Sequence, residues 1–388
     1  MYTSEFSDKA LTNCLLIYEG RLGSARADST YVLENAEVYS KIVDVELLVS
    51  KRHNWRIPAE ISQRFKVVEL GKPFNPKNIV QSILGQLRFG IAVRNFVKRP
   101  RFENSKSFII FHDWWPLQAF HFFSRRSNSI LVLEVHNQIP LNMWLMTLFN
   151  HIDLFIATNS HKFNELRNRV KGKVILERNC VRTSRYLNQN LHMDQTLSSL
   201  ISQIRAKFQF VIGYTGSFGP EKNPSLLFEL PEYFPDVAFI YVGKVSPKRK
   251  EDFRRFSNLF MLEPIDIKSI PAFQLSCDIL LVTLSAESVV STKYTSTMKL
   301  LEYIAAQKPI VAPTLPSIMD MLSEDEFYGY EANSVESAKE VVGDLIGSLS
   351  QNKSIRKPLA ERLEQYNWDN RNQRILKYCH GIFDLENQ

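Results

Sequence analysis

The chain has 388 residues, 44% hydrophobic and 23% charged, which excludes disordered and low-complexity classes and, at roughly 100 to 200 residues per domain, favours two domains. Four cysteines, Cys14, Cys180, Cys277 and Cys379, stand far apart, which excludes a disulfide framework or a cysteine metal site and reads as reduced, buried thiols in a cytosol-like compartment. The formal net charge of +7 suits a polyanionic partner, whether a nucleotide sugar, an anionic membrane surface or nucleic acid.

Residues 1–10 carry charges and lack the apolar centre of a signal peptide, and no uncharged apolar run nears the roughly 20 residues of a membrane span. A cytoplasmic protein, soluble or peripheral on the membrane face, is expected. In chain order, the first half alternates short apolar runs with longer segments of helical spacing: CLLIY (14–18), VELLV (45–49), KVVEL (66–70), SFIIF (107–111), SILVLEV (129–135) and DLFIA (153–157). That alternation implies βα units and a parallel sheet. Open α/β sheets place ligands beyond the carboxyl ends of their strands. By that rule the loop EGRLGSARADS (19–29) offers Gly20, Arg21 and Gly23, SFIIF leads into His112 and Asp113, and SILVLEV leads into His136. A hydrogen-bonded strand-end residue is an equally good reading of that last histidine.

Over 78–99, Val80, Leu84, Leu87 and Ile91 form one helical stripe, most simply core-facing, although Gly85 and Gly90 weaken the helix. Arg94, Lys98, Arg99, Arg101, Lys106, Arg125 and Arg126 crowd nearby, interleaved with Phe89, Phe96, Phe102, Trp114, Trp115, Phe122 and Phe123. Such a stretch also suits attachment to an anionic membrane. No nucleic-acid partner is expected, because no recognition motif accompanies the charges.

The polar stretch RTSRYLNQNLHMDQ (182–195) reads as the linker. A second series follows: FQFVIGYTG (208–216), DVAFIYVG (236–243), NLFML (258–262), DILLVT (278–283) and KPIVAP (308–313). In GYTGSFGPEKNP (213–224) a strand enters a glycine-bearing loop, with Gly216 and Ser217 at the turn and Lys222 where a helix would begin. In STKYTSTMKLLEYIAAQKPIVA (291–312), Ser296 or Thr297 can cap a helix whose first turn holds Met298 and Lys299, with Glu302 sharing a face with Lys299. A lysine near phosphate and a carboxylate near ribose hydroxyls make a nucleotide clamp, and a plain surface ion pair fits the same spacing. The tail at 366–383 carries Ile375, Leu376, Cys379, Ile382 and Phe383 along one side of a helix, with Asp369 as a candidate cap.

Together, GYTGSFGPEKNP and MKLLEYIAAQKPIVA resemble the glycine loop and donor-site helix of glycosyltransferase family 4, retaining enzymes of the GT-B fold. FHDWW (111–115), LEVHNQIP (133–140), HIDLFIATNSHKFNEL (151–166) and VILERNCV (174–181) resemble its first-domain strands more loosely, and the tail around Trp368 is similar to its crossover helix.

The resemblance implies an α/β chain of two facing Rossmann-like domains: an acceptor domain over 1–190, a donor domain over 205–365, and a helix over 366–388 returning to the first. It implies transfer of a sugar from a nucleotide-diphosphate donor to a glycan or lipid-linked glycan, with no further cofactor and no metal. In that reading Lys222 binds phosphate, Glu302 holds the ribose and His136 contacts donor sugar or acceptor. Two positions depart from the pattern: Ser217 stands where many members have arginine, and Tyr294 where the family has the first of two glutamates. Another GT-B enzyme, such as a sugar nucleotide epimerase or phosphorylase, and a binding protein of this fold without catalysis are the alternatives.

Overall fold

The structure, a computed structural model, describes residues 12–24, 27–53, 55–74, 78–99, 102, 105–117, 129–136, 139, 147, 149–188, 191–245, 255–295 and 298–386. The chain divides into two compact units, Met1–Arg178 with Trp368–Gln388, and Asn179–Asn367. The first unit holds β1 (Asn13–Tyr18), β2 (Asp44–Arg52), β3 (Lys66–Phe74), β4 (Ser107–Phe111), β5 (Ser129–Val135), β6 (Leu154–Ala157) and β7 (Lys173–Leu176), in the order β3-β2-β1-β4-β5-β6-β7. The second holds β8 (Phe210–Thr215), β9 (Val237–Val242), β10 (Leu259–Leu262), β11 (Ile279–Leu281), β12 (Ile310–Pro313) and β13 (Tyr328–Tyr330), in the order β10-β9-β8-β11-β12-β13.

The strand pairings are parallel, β1 with β2 and β4 and β8 with β9 and β11 among them, so the chain is α/β with two doubly wound sheets. Strand order reverses between β1 and β4 and again between β8 and β11, the topological switch points at which such sheets form binding crevices. Continuous apolar runs follow from burial on both faces. In β1, Cys14, Leu16 and Tyr18 join one cluster, and Leu15 and Ile17 join the other.

The first unit also contains the helices α1 (Ala27–Tyr39), α2 (Ala59–Arg64) and α3 (Ile79–Val97). The stripe of α3 corrects the core-facing expectation, since Val80 is 60% exposed and Leu84 and Ile91 are each 47% exposed. The helix instead turns Phe89, Val93, Phe96 and Val97 to the sheet, because two phenylalanines bury more apolar area than the aliphatic stripe. Among the described residues the aromatics of this stretch are largely covered: Phe89, Phe96 and Phe102 are buried, with the Arg99 guanidinium 4.3 Å from the Phe96 ring, and the half-buried Trp114 and Trp115 stack on each other at 4.2 Å. Arg101, Phe122, Phe123, Arg125 and Arg126 lie outside the described residues.

The stretch expected as a linker contains the short helix Ser184–Leu187, whose Tyr186 is buried, and belongs to the second unit, which begins at Asn179. Helix Trp368–Glu386 packs Ile375, Leu376, Cys379 and Phe383 against β1 and α1 residues in the first unit. Asp369 lies inside its first turn and pairs with Lys41 at 2.8 Å. All four cysteines are free and buried. Among the described residues no helix is long and apolar enough to cross a membrane.

Candidate functional site

In the second unit, β8 runs out at Thr215 into Gly216, whose φ of +141° lies in a region that L side chains rarely adopt. The backbone is crowded here: a Cβ on Gly243 would sit 1.9 Å from the Gly216 carbonyl, and one on Gly216 would sit 3.0 Å from both Cε and Nζ of Lys299. Lys299 thus lies directly on the glycine loop although it comes from helix Met298–Ala306. Its Nζ stands 3.6 Å from the Tyr214 ring centroid, is shut off from solvent, and has no hydrogen-bond partner among the described residues. Burial, reinforced by the Lys222 charge, pushes its ammonium well below the usual lysine range against the pull of Glu302 and Glu221.

Lys222 ends a short 3-10 turn, Pro220–Lys222, before Asn223 turns into the left-handed region at φ 44° and the next helix starts. Burial lowers its ammonium too, with Glu221 opposing. The carbonyl of Glu221 accepts from Ser285 N at 3.1 Å and Ser291 Oγ at 2.8 Å, which ties the loop to the segment after β11. Ser217 is exposed, and its carbonyl accepts the Tyr214 hydroxyl at 2.6 Å. Tyr294 is buried at the end of the wide helical turn Val290–Tyr294, while Glu287, the nearest carboxylate in sequence, is exposed. Ser296 and Thr297 lie outside the described residues, and Met298 opens the helix.

Glu302, one turn beyond Lys299, accepts from Gln274 Nε2 at 3.1 Å. Burial raises its carboxyl to about 7, with Gln274, Lys299 and Arg185 opposing. Sequence reasoning missed the frame around it. Gln274 is fully buried, its Oε1 takes the Tyr186 hydroxyl at 2.7 Å, and the Tyr303 hydroxyl accepts from Thr215 N at 2.9 Å. These contacts fix where Glu302 and the end of β8 stand, and no local pattern marks their members.

In the first unit the carboxyl ends of β4 and β5 bring His112 and His136 to one buried carboxylate. His112 Nδ1 lies 2.7 Å and His136 Nε2 3.5 Å from Oε2 of Glu134. The other oxygen, Oε1, takes Arg371 Nη2 at 2.9 Å and the Tyr31 hydroxyl at 3.0 Å. Burial alone would raise the Glu134 carboxyl, but the His112 and Arg371 charges outweigh it and hold the group well below the usual range. Burial keeps His136 below the ordinary imidazole value despite Glu134. Buried Lys162 donates to the His136 carbonyl at 2.6 Å and to Thr158 Oγ1 at 3.0 Å, holding the backbone that presents the ring.

The ligand-type atoms of His112, Glu134 and His136 lie within 4.8 Å of one another, a spacing a metal ion could use. Arg371 already neutralises Glu134, so a divalent ion would face a guanidinium behind its carboxylate. The set fits two histidines paired with a carboxylate that Arg371 already balances better than it fits a metal.

The loop after β1 packs tightly. A Cβ on Gly20 would meet the Tyr18 ring at 2.2 Å, and Gly23, at φ +82°, packs against Pro58 and Ile61. Arg21 is exposed and stands 5.9 Å from the Trp55 ring. Asp113 accepts from Trp115 N at 3.3 Å, and burial raises its carboxyl. Extending the β1–β4 register sets it opposite Glu19, whose own carboxyl burial and the Asp113 charge raise to about 7. Sequence reasoning missed Glu19. It joins Gly20, Asp113, His112 and His136 at one sheet edge, while Lys222, Lys299, Gly216 and Glu302 gather at the corresponding edge of the other sheet.

No protein-family model matches the sequence, and no curated protein matches it. Solved structures do. Sucrose-phosphate synthase from Thermosynechococcus elongatus is 15% identical with a TM-score of 0.74, covering 96% of this chain and 100% of its own. Anabaena HepE in complex with UDP and glucose is 16% identical at 0.71, covering 95% and 100%. A glycosyltransferase from Rickettsia africae is 12% identical at 0.70, covering 96% and 98%. Likeness at these identities concerns the fold, which is GT-B.

Proposed function

We propose that the protein is a glycosyltransferase that moves a sugar from a nucleoside diphosphate sugar to an acceptor hydroxyl, with retention, in the manner of family 4. The observation that carries this reading is Lys299: a desolvated ammonium without a hydrogen-bond partner among the described residues, held on the glycine loop one turn from Glu302 at a topological switch point. A buried charge without a partner is costly, and a diphosphate would supply the missing acceptors. Lys222 and Lys299 would then stabilise the leaving diphosphate, and Glu302 would accept the ribose hydroxyls. The complex of HepE with UDP-glucose, a structure whose fold this chain shares, supports a UDP-sugar as the first donor class to try.

His136 and His112 would meet the transferred sugar or the acceptor, with Glu134 orienting both rings. Gly20, Arg21, Gly23 and Asp113 would form the acceptor side. The acceptor is proposed to be a glycan or lipid-linked glycan, reached from the cytoplasmic membrane face. Residues 71–102 contain seven lysines and arginines and no acid, and α3 exposes Val80, Leu84 and Ile91 within that stretch. Sedimentation with anionic but not neutral vesicles, lost at high salt, tests that surface. Equal sedimentation with both removes it.

A thermal-shift screen of nucleoside diphosphates and their sugars tests the donor reading, since a ligand at a hundred times its Kd adds about 2.7 kcal/mol. A screen in which none of them stabilises the protein defeats the proposal. Tyr294, buried where the family has a carboxylate, favours a second reading, a nucleotide-sugar binder without transfer. Donor binding without sugar release from any donor would select it.

A further inference from the structure

Beyond the carboxyl end of β2, the first unit holds a cavity of about 850 Å³ that the function above leaves unused. The volume falls within the roughly 300–1,000 Å³ of small-molecule sites. Its lining is basic, with Lys51, Arg52, His53 and Arg56 against the single carboxylate of Glu69, and Trp55 adds an indole. Lys51, His53 and Arg56 are exposed and have no ion-pair or side-chain hydrogen-bond partner among the described residues. Concave surfaces lined by one sign of charge focus their field on a ligand of the other.

The wall is also fixed to the edge of the sheet where His112 and His136 emerge. Arg52 donates from Nε and Nη2 to the Glu19 carbonyl at 3.1 and 2.6 Å, and Trp55 Nε1 donates to the Leu22 carbonyl at 3.0 Å. Arg52 and Trp55 therefore buttress the loop after β1, so the cavity and the proposed acceptor loop share one frame.

We propose that this cavity binds a phosphate ester and that the acceptor carries it. The first half stands on the cavity alone, and the second rests on the first unit being the acceptor side. Lys51 and Arg56 are the phosphate contacts and Trp55 packs on the group attached to it. The ester belongs to a soluble phosphorylated sugar or to a lipid head group.

The test titrates the full chain with glycerol 3-phosphate, with glycerol as the uncharged control, and in a second arm sediments it with phosphatidylglycerol or phosphatidylcholine vesicles. The comparison variant is K51S/R56S, two exposed positions that leave Arg52 in place. A soluble source predicts that glycerol 3-phosphate binds, that glycerol does not, and that the variant binds about tenfold more weakly, as expected for two exposed charges. A lipid source predicts the same sensitivity in the phosphatidylglycerol arm alone. Equal binding by parent and variant in both arms, or none in either, overturns the proposal. UDP affinity measured on the same samples reports separately on the transferase reading, so loss of one does not imply loss of the other.

Discussion

Replacing Lys299 by methionine should stabilise the empty protein while weakening its hold on a nucleoside diphosphate. The Nζ is shut off from water with no hydrogen-bond partner among the described residues, and leaving such a group unsatisfied costs about 1–3 kcal/mol. Its contact with the Tyr214 ring, at 3.6 Å to the centroid, returns about 0.5–2 kcal/mol. The desolvation cost is the larger, so the net gain for methionine, which keeps the stem packed on Gly216, is about 1 kcal/mol, or roughly 2–4 °C in Tm for a domain of this size. The sign with pH follows from the lowered ammonium. The unfolded chain holds the proton below 10.5 while the folded protein resists it, so the penalty is absent at high pH and grows as pH falls from that value. Calorimetric unfolding between pH 7 and 10 should show the advantage of Lys299→Met shrinking as pH rises. Titration with UDP should show affinity reduced at least tenfold, about the worth of one charged hydrogen bond. A methionine variant that melts lower than the parent and binds UDP equally well would refute the reasoning.

Lys222→Ala should lower sugar release from the donor at least tenfold with Tm within about 1 °C, because its charge is matched to the leaving diphosphate and not to a folded partner. Rates within twofold of the parent speak against that role. UDP affinity should rise from pH 6 to pH 8 as Glu302, held near 7 by burial, ionises and becomes a pure acceptor for ribose hydroxyls; Glu302→Gln should flatten that profile, and an unchanged slope assigns it to another group. Glu134→Gln should cost about 3–5 kcal/mol in denaturant unfolding, since it leaves Arg371 as an unpaired buried charge. The Glu134 carboxyl is depressed, so its contribution is present above 4.5 and lost as pH falls through the lower folded value. The parent should weaken on acidification more than the glutamine variant does.

The strands could be read from the sequence because burial on both faces writes itself as continuous apolar runs such as SILVLEV. β13, three residues of alternating tyrosine and glycine, has no such signature. In α3 two apolar stripes compete, and choosing between them needs the sheet that Phe89 and Phe96 pack against. Lys299 and Glu302 declared themselves by spacing on one helix, whereas Gln274, which aims Glu302, and Gly216, which carries Lys299, come from elements remote in the chain. Glu134 looks like an ordinary strand residue until Arg371 and the two histidines are brought to it by tertiary packing.

The path of the chain sets an order of assembly. Residues 179–367 form the second unit without interruption, whereas the first is completed by the helix that follows it. Arg371, which bonds the Arg178 carbonyl at 2.9 Å, lies 193 positions later in the sequence. A ribosome adding about 5–20 residues per second leaves roughly 10–40 s between the two. Through that interval Glu134 lacks its guanidinium and the face that will receive Ile375, Leu376 and Cys379 stays uncovered. The unit made first is thus the last to close, and the nascent chain presents an apolar surface to chaperones for as long as its C-terminal neighbour takes to be synthesised.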